Sequence, residues 1–156
     1  MKSELAFLKG LNYSKPFRQL RGFDSECDLS ENEINDISNG PGVYIIVATQ
    51  RTKFVYPKGN SPVIYIGKAD NLRRRLREHL RNLSQCVDNE IYDLSKHIQH
   101  CSRYWYFHYF GAHVYTYNCL KNTQDAKNLE SEIIWRFYEK YRSLPVGNGA
   151  RSFGKD

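Results

Sequence analysis

The apolar positions of this chain recur with two different periods. Val43-Tyr-Ile-Ile-Val-Ala48 and Val63-Ile-Tyr-Ile-Gly67 are unbroken β-branched and aromatic runs. They are bounded by the breakers Gly40-Pro41-Gly42 and Lys58-Gly59-Asn60-Ser61-Pro62. This predicts two strands, the first buried on both faces, with the chain returning antiparallel. Downstream the spacing changes. At about 100° per residue, Leu72, Leu76, Leu80 and Leu83 form one stripe of a helix, with Asp70 placed to cap it. Arg75 and His79 then project from the shoulder of the stripe, while Arg73, Arg74, Arg77 and Arg81 point away from it. Residues 88–100 suggest a second, less regular helix. Arg103-Tyr-Trp-Tyr-Phe-His-Tyr-Phe110 reads as a third strand, and residues 112–119 add another. A last helix over residues 123–141 carries Ala126, Leu129, Ile133, Ile134, Phe137, Tyr138 and Tyr141 on one face.

Composition narrows the class. A chain of 156 residues, 40% apolar and 26% charged, is one globular domain without a biased tract. No run of 18 apolar residues and no apolar stretch behind the N-terminal charges is present, so neither a membrane span nor a signal peptide is expected, and the expected location is cytoplasmic. Cys27, Cys86, Cys101 and Cys119 lack CxxC pairing, which argues against a zinc ribbon. His97 and His100 stand near Cys101, but without paired short spacings they read as ordinary residues at a helix end.

The net charge of +6 is unevenly distributed. Residues 1–21 are basic, with Arg18 and Arg21 among their charges, and residues 24–36 hold six acids and no base. Residues 67–81 hold Lys68 and five arginines against Asp70 and Glu78. One helix so charged is either a solvated face or a surface for a polyphosphate backbone. Glu130 is unusual in a different way, since it sits in the middle of the apolar face of the last helix. Burying an ionised carboxylate costs several kcal/mol unless it is paired or bound to a metal. An ion pair with Arg75 and a metal site are both consistent with that position.

The order Gly42-Val-Tyr44, Tyr65-Ile-Gly67, Arg75, His79, Leu129-Glu130 and Pro145…Asn148 resembles the GIY-YIG nuclease family, over residues 42–148. The resemblance implies a small α/β (α+β) domain, a mainly antiparallel sheet of mixed strand order flanked by helices. Residues 41–156 would form it, with residues 1–40 an N-terminal extension packed on or beside the core. The implied site is Tyr44, Tyr65, Arg75 and Glu130, with Lys68 and His79 recurring in parts of the family and Gly67 and Asn148 as structural neighbours. The chain departs from the family in a longer loop between the tyrosines, which predicts an extended or extra-stranded connection there, and in added sequence before Glu130.

Phosphodiester hydrolysis needs an activated water, neutralised non-bridging oxygens and a stabilised leaving oxygen. One carboxylate, Glu130, suits a single magnesium ion that keeps most of its waters, with manganese substituting. A guanidinium matches phosphate bidentately, as expected of Arg75. Tyr44, Tyr65 and His79 are the candidates to activate the water. Arg73, Arg74, Arg77, Arg81, Arg18 and Arg21 are candidates for DNA-backbone contact. The resulting expectation is a magnesium-dependent DNA endonuclease, compact and restriction-type, acting as a homodimer on two strands. A structure-specific repair or mobile-element nuclease is the alternative. A silent nucleic-acid-binding module is disfavoured by the intact Tyr44, Tyr65, Arg75 and Glu130.

Overall fold

The computed structural model describes residue 23 and residues 25–88, 101–118 and 121–149. In chain order its elements are β1 (Ser25–Asp28), α1 (Glu31–Ile34), β2 (Gly42–Val47), β3 (Phe54–Tyr56), β4 (Gly59–Ser61), β5 (Val63–Ala69), α2 (Leu72–Asp88), α3 (Cys101–Phe110), β6 (His113–Tyr117) and α4 (Thr123–Tyr141). The expected basic residues Arg18 and Arg21, the second helix beyond Asp88, and His97, His100 and Cys119 lie outside the described residues.

The main sheet has the order β1-β6-β2-β5 and every pairing in it is antiparallel. β2 is buried along its whole length, as its unbroken apolar run requires of a strand covered on both faces. β3 and β4 form a separate two-stranded hairpin, which accounts for the long connection between the two tyrosine-bearing strands. Residues 25–28, within the stretch expected as an extension, supply β1 at the outer edge of β6.

Helices cover both faces. Val43, Ile45, Val63 and Ile66 pack with Leu129, Ile133 and Phe137 of α4. Tyr44, Ile46, Ile64 and Ala69 face the other way, onto Leu72 and Leu76 of α2, Tyr104 and Phe107 of α3, and Ile34 of α1. Each fully buried aliphatic side chain contributes about 1.5–3 kcal/mol to holding these layers together. Among the described residues no helix is long and apolar enough to cross a membrane.

Three expectations are corrected. Residues 103–110 are helical, not a strand. Their aromatic content favours strands, but Arg103, Tyr104 and Phe107 are buried while His108 and Tyr109 are exposed, a helical spacing rather than an alternating one. Stacked rings of Trp105 with Tyr109 and of Tyr106 with Phe110 reinforce it. Gly111, with φ of 76°, follows its end. The cap of α2 is Asn71, whose side chain accepts the Arg74 N–H at 2.9 Å, and not Asp70. The buried stripe of α2 is Leu72, Leu76, His79 and Cys86, with Leu80 and Leu83 only half-buried.

Candidate active site

β2 and β5 bring the two tyrosines together diagonally. Tyr44 pairs with Gly67 and Ile46 with Tyr65, and a register shift between Ile46 and Val47 leaves Ile64 as a bulge beside Tyr65. The two phenol rings lie 5.8 Å apart. Gly67 makes that approach possible. A Cβ there would stand 2.6 Å from ring atoms of both Tyr44 and Tyr65. Gly42 gives similar clearance at the start of β2, where a Cβ would lie 2.5 Å from Leu72 and block the docking of α2.

His79 completes a triangle of rings, 5.5 Å from Tyr44 and 5.6 Å from Tyr65. Its Nε2 is 2.6 Å from the Tyr44 hydroxyl and its Nδ1 is 3.1 Å from that of Tyr104, which also accepts from Asn82 at 2.9 Å. Burial, helped by the charges of Arg75 and Arg103, pushes the His79 imidazole well below its ordinary pKa. A neutral ring must donate from one nitrogen and accept at the other. Two arrangements meet that requirement: Tyr44 O–H donating to Nε2 with Nδ1–H donating to Tyr104, or Tyr104 O–H donating to Nδ1 with Nε2–H donating to Tyr44. Burial and the neighbouring Tyr65 hold the Tyr44 phenol well above its usual value, and the nearby Arg75 only partly offsets them. Tyr44 and His79 are both inaccessible to solvent, whereas Tyr65 is partly exposed.

Arg75 donates to Glu78 at 2.9 Å and to the Tyr44 oxygen. Glu130 is therefore not the carboxylate with which Arg75 pairs. Glu130 is half-buried on α4 and accepts the backbone N–H of Lys68 at the end of β5. Burial raises its carboxyl to about 7, the charge and N–H of Lys68 and the more remote Arg75 opposing this incompletely. A carboxylate this reluctant to ionise suits a divalent cation, which would hold it in the charged form. Among the described residues no group of three or more His, Cys, Asp or Glu side chains converges.

Residues 28–152 match the family model for GIY-YIG domain-containing proteins. The chain belongs to the GIY-YIG family. No protein of curated function matches it. Among solved structures it is similar to the N-terminal GIY-YIG endonuclease domain of UvrC from Thermotoga maritima, bound to its catalytic divalent cation, magnesium. The identity is 24%, covering 74% of this chain and 91% of that one, with a TM-score of 0.38.

Of the residues expected to work together in this GIY-YIG domain, Tyr44, Tyr65, Arg75 and His79 form one contiguous cluster, and Lys68 and Glu130 adjoin each other at the end of β5. Asn148 grips β5, its side chain accepting the Ile66 N–H at 2.9 Å and donating to the Ile66 carbonyl at 2.8 Å. The outer arginines divide. Arg73 donates to the Ile37 carbonyl at 2.8 Å and Arg77 to Asn35 at 2.6 Å, so both brace the end of α1. Arg74 and Arg81 are exposed and, with Arg77, line an open groove between α1 and α2.

Sequence reasoning missed Asn82, Tyr104 and Arg103, which surround the ring cluster. An arginine within an otherwise aromatic run was the available signal for Arg103, and reading that run as a strand hid its direction.

Proposed function

We propose that this GIY-YIG domain is a magnesium-dependent DNA endonuclease. The observation that carries the reading is Glu130, a half-buried carboxylate that among the described residues forms no ion pair with an arginine, near a site holding Arg75 and two tyrosines. Glu130 would hold the ion. A bound magnesium supplies Lewis-acid polarisation of the phosphate and charge neutralisation at the leaving oxygen, and manganese would serve in its place.

The roles of the side chains follow from access and protonation. Arg75, held by Glu78 and Tyr44, presents its guanidinium to the non-bridging oxygens. Tyr65, the partly exposed phenol of the pair, contacts the attacking water and relays its proton: the phenol oxygen takes that proton while its own O–H proton passes to solvent. The water oxygen joins phosphorus as the phosphorus–oxygen bond to the leaving group breaks, and the leaving oxygen takes a proton from solvent. Tyr44 and His79 have no solvent contact and support Arg75 and Tyr65 from behind. Lys68, at the mouth beside Glu130, adds positive charge where substrate phosphate enters. Arg74 and Arg81, with Arg77, follow the DNA backbone.

The finer reading is site-specific cleavage of duplex DNA by two copies of the chain, one for each strand. Incubation of a random duplex pool with magnesium, followed by sequencing of the ends, tests it. Recurrent end sequences support restriction-type cleavage, and preference for flaps or nicks supports a structure-specific nuclease. No cleavage by the parent, or parental cleavage by Glu130→Gln, would overturn the endonuclease assignment as argued from Glu130.

A further inference from the structure

Arg103 lies almost fully buried, with 4% of its surface exposed. Its guanidinium carbon stands 3.7 Å from the centroid of the Tyr65 ring, and its Nε donates to the Gly147 carbonyl at 2.9 Å. Gly147 in turn donates its N–H to the Ile64 carbonyl at 2.7 Å, and the Asn148 side chain bonds both backbone groups of Ile66. The residues on either side of Tyr65 are thus held by one turn, and Arg103 spans that turn and the Tyr65 ring. The loop of contacts closes on itself. There is no space for a side chain in it, because a Cβ on Gly147 would lie 2.7 Å from the Ile64 carbonyl.

We propose that Arg103 is a positioning residue, holding the Tyr65 phenol in its reactive orientation by clamping the ring against the turn at residues 145–148. This rests on the reading that Tyr65 faces the attacking water. Two further features favour a function over plain packing. Tyr65 sits on an edge strand beside a bulge, so the main sheet pairs its strand on one side only. A buried guanidinium is also costly, and among the described residues no carboxylate forms an ion pair with Arg103. A long apolar side chain would fill the same volume without that cost. The planar cation is able to stack on a ring and donate to a carbonyl at once, which an ammonium is not.

The test uses Arg103→Met and Arg103→Lys in the full chain. Each should reduce kcat on the order of 10- to 100-fold, as expected when a reacting group is misplaced by about 1 Å, with KM for DNA within about twofold of the parent. In a Tyr65→Phe background Arg103→Met should cost nothing further, because the hydroxyl it positions is already gone. An independent readout is the NMR spectrum of protein carrying 13C-labelled tyrosine rings, the Tyr65 signal being identified by its loss in Tyr65→Phe. Replacing Arg103 should shift that signal. An unmoved Tyr65 signal overturns the clamp whether or not the chain cuts DNA. If the parent cuts, parental kcat in Arg103→Lys, or equal losses from Arg103→Met with and without the Tyr65 hydroxyl, also overturns it. Should Arg103→Met fail to fold, Arg103→Lys decides by the same kcat and NMR criteria.

Discussion

The hydroxyl of Tyr44 lies 2.6 Å from Nε2 of His79, and solvent reaches neither side chain. This buried pair joins β2 to α2 and leaves the imidazole neutral. Tyr44→Phe removes the hydroxyl and leaves a buried ring nitrogen unsatisfied, a loss of about 1–3 kcal/mol. Urea unfolding of the variant should show a destabilisation of that size. The His79 ring carbons should meanwhile show no titration step by NMR between pH 6 and 8, because the depressed pKa keeps the imidazole unprotonated there.

Glu130 makes the stability of the metal-free protein depend on pH. Its carboxyl, raised from 4.5 to about 7 in the folded state, keeps a proton that the unfolded chain has released. Between those values the folded state binds more protons, so the contribution of Glu130 to stability falls as pH rises, and the cost is complete above 7. Glu130→Gln should lack this slope. Without divalent cations it should melt higher than the parent at pH 8 and nearer to it at pH 5, and magnesium should narrow the pH 8 gap.

The two kinds of arginine on α2 should separate in kinetics. Arg75→Lys should lower cleavage nearly as far as Arg75→Ala, because an ammonium cannot give the planar two-donor contact. Arg74→Ala should instead weaken DNA binding modestly and reduce the slope of log K against log salt by about 1. A silent Arg75→Lys together with an inactive Arg74→Ala would reverse the assignment.

Gly67→Ala should be out of proportion to the single methyl it adds. The new Cβ would press on both Tyr44 and Tyr65 at 2.6 Å, and Tyr44 is enclosed on every side. Overpacking of this kind costs about 1–3 kcal/mol. Thermal melting should show that loss, and cleavage should fall at least tenfold even at temperatures where the variant is folded.

The elements legible in the sequence were those governed by local pattern. α4 occupies the residues its apolar face predicted, 123–141, and β2 and β5 carry the expected tyrosines. The long connection left an extended loop and added strands both open, and the hairpin of β3 and β4 is the second of these. Failures came where distant partners decide. The run at residues 103–110 has strand-like composition, yet its burial is set by contact with His79 and Tyr65, which local propensity does not contain. The same holds inside the site. That Arg75 pairs with Glu78 three residues away, and not with Glu130, is settled by the placement of α4 across the sheet. Asn71 replaced Asp70 as the cap because β5 runs on to Ala69, past its predicted end at Gly67.

The grip of residues 147 and 148 on β5 also bears on how two copies could associate. β5 is the last strand of its sheet, and a bare strand there would be a template for another chain. Instead its outward Ile64 carbonyl and both backbone groups of Ile66 are already bonded by Gly147 and Asn148. A partner extending the sheet through this side would have to break three hydrogen bonds before forming its own. The turn that steadies the tyrosine strand therefore also blocks continuous sheet growth at the edge that carries Tyr65.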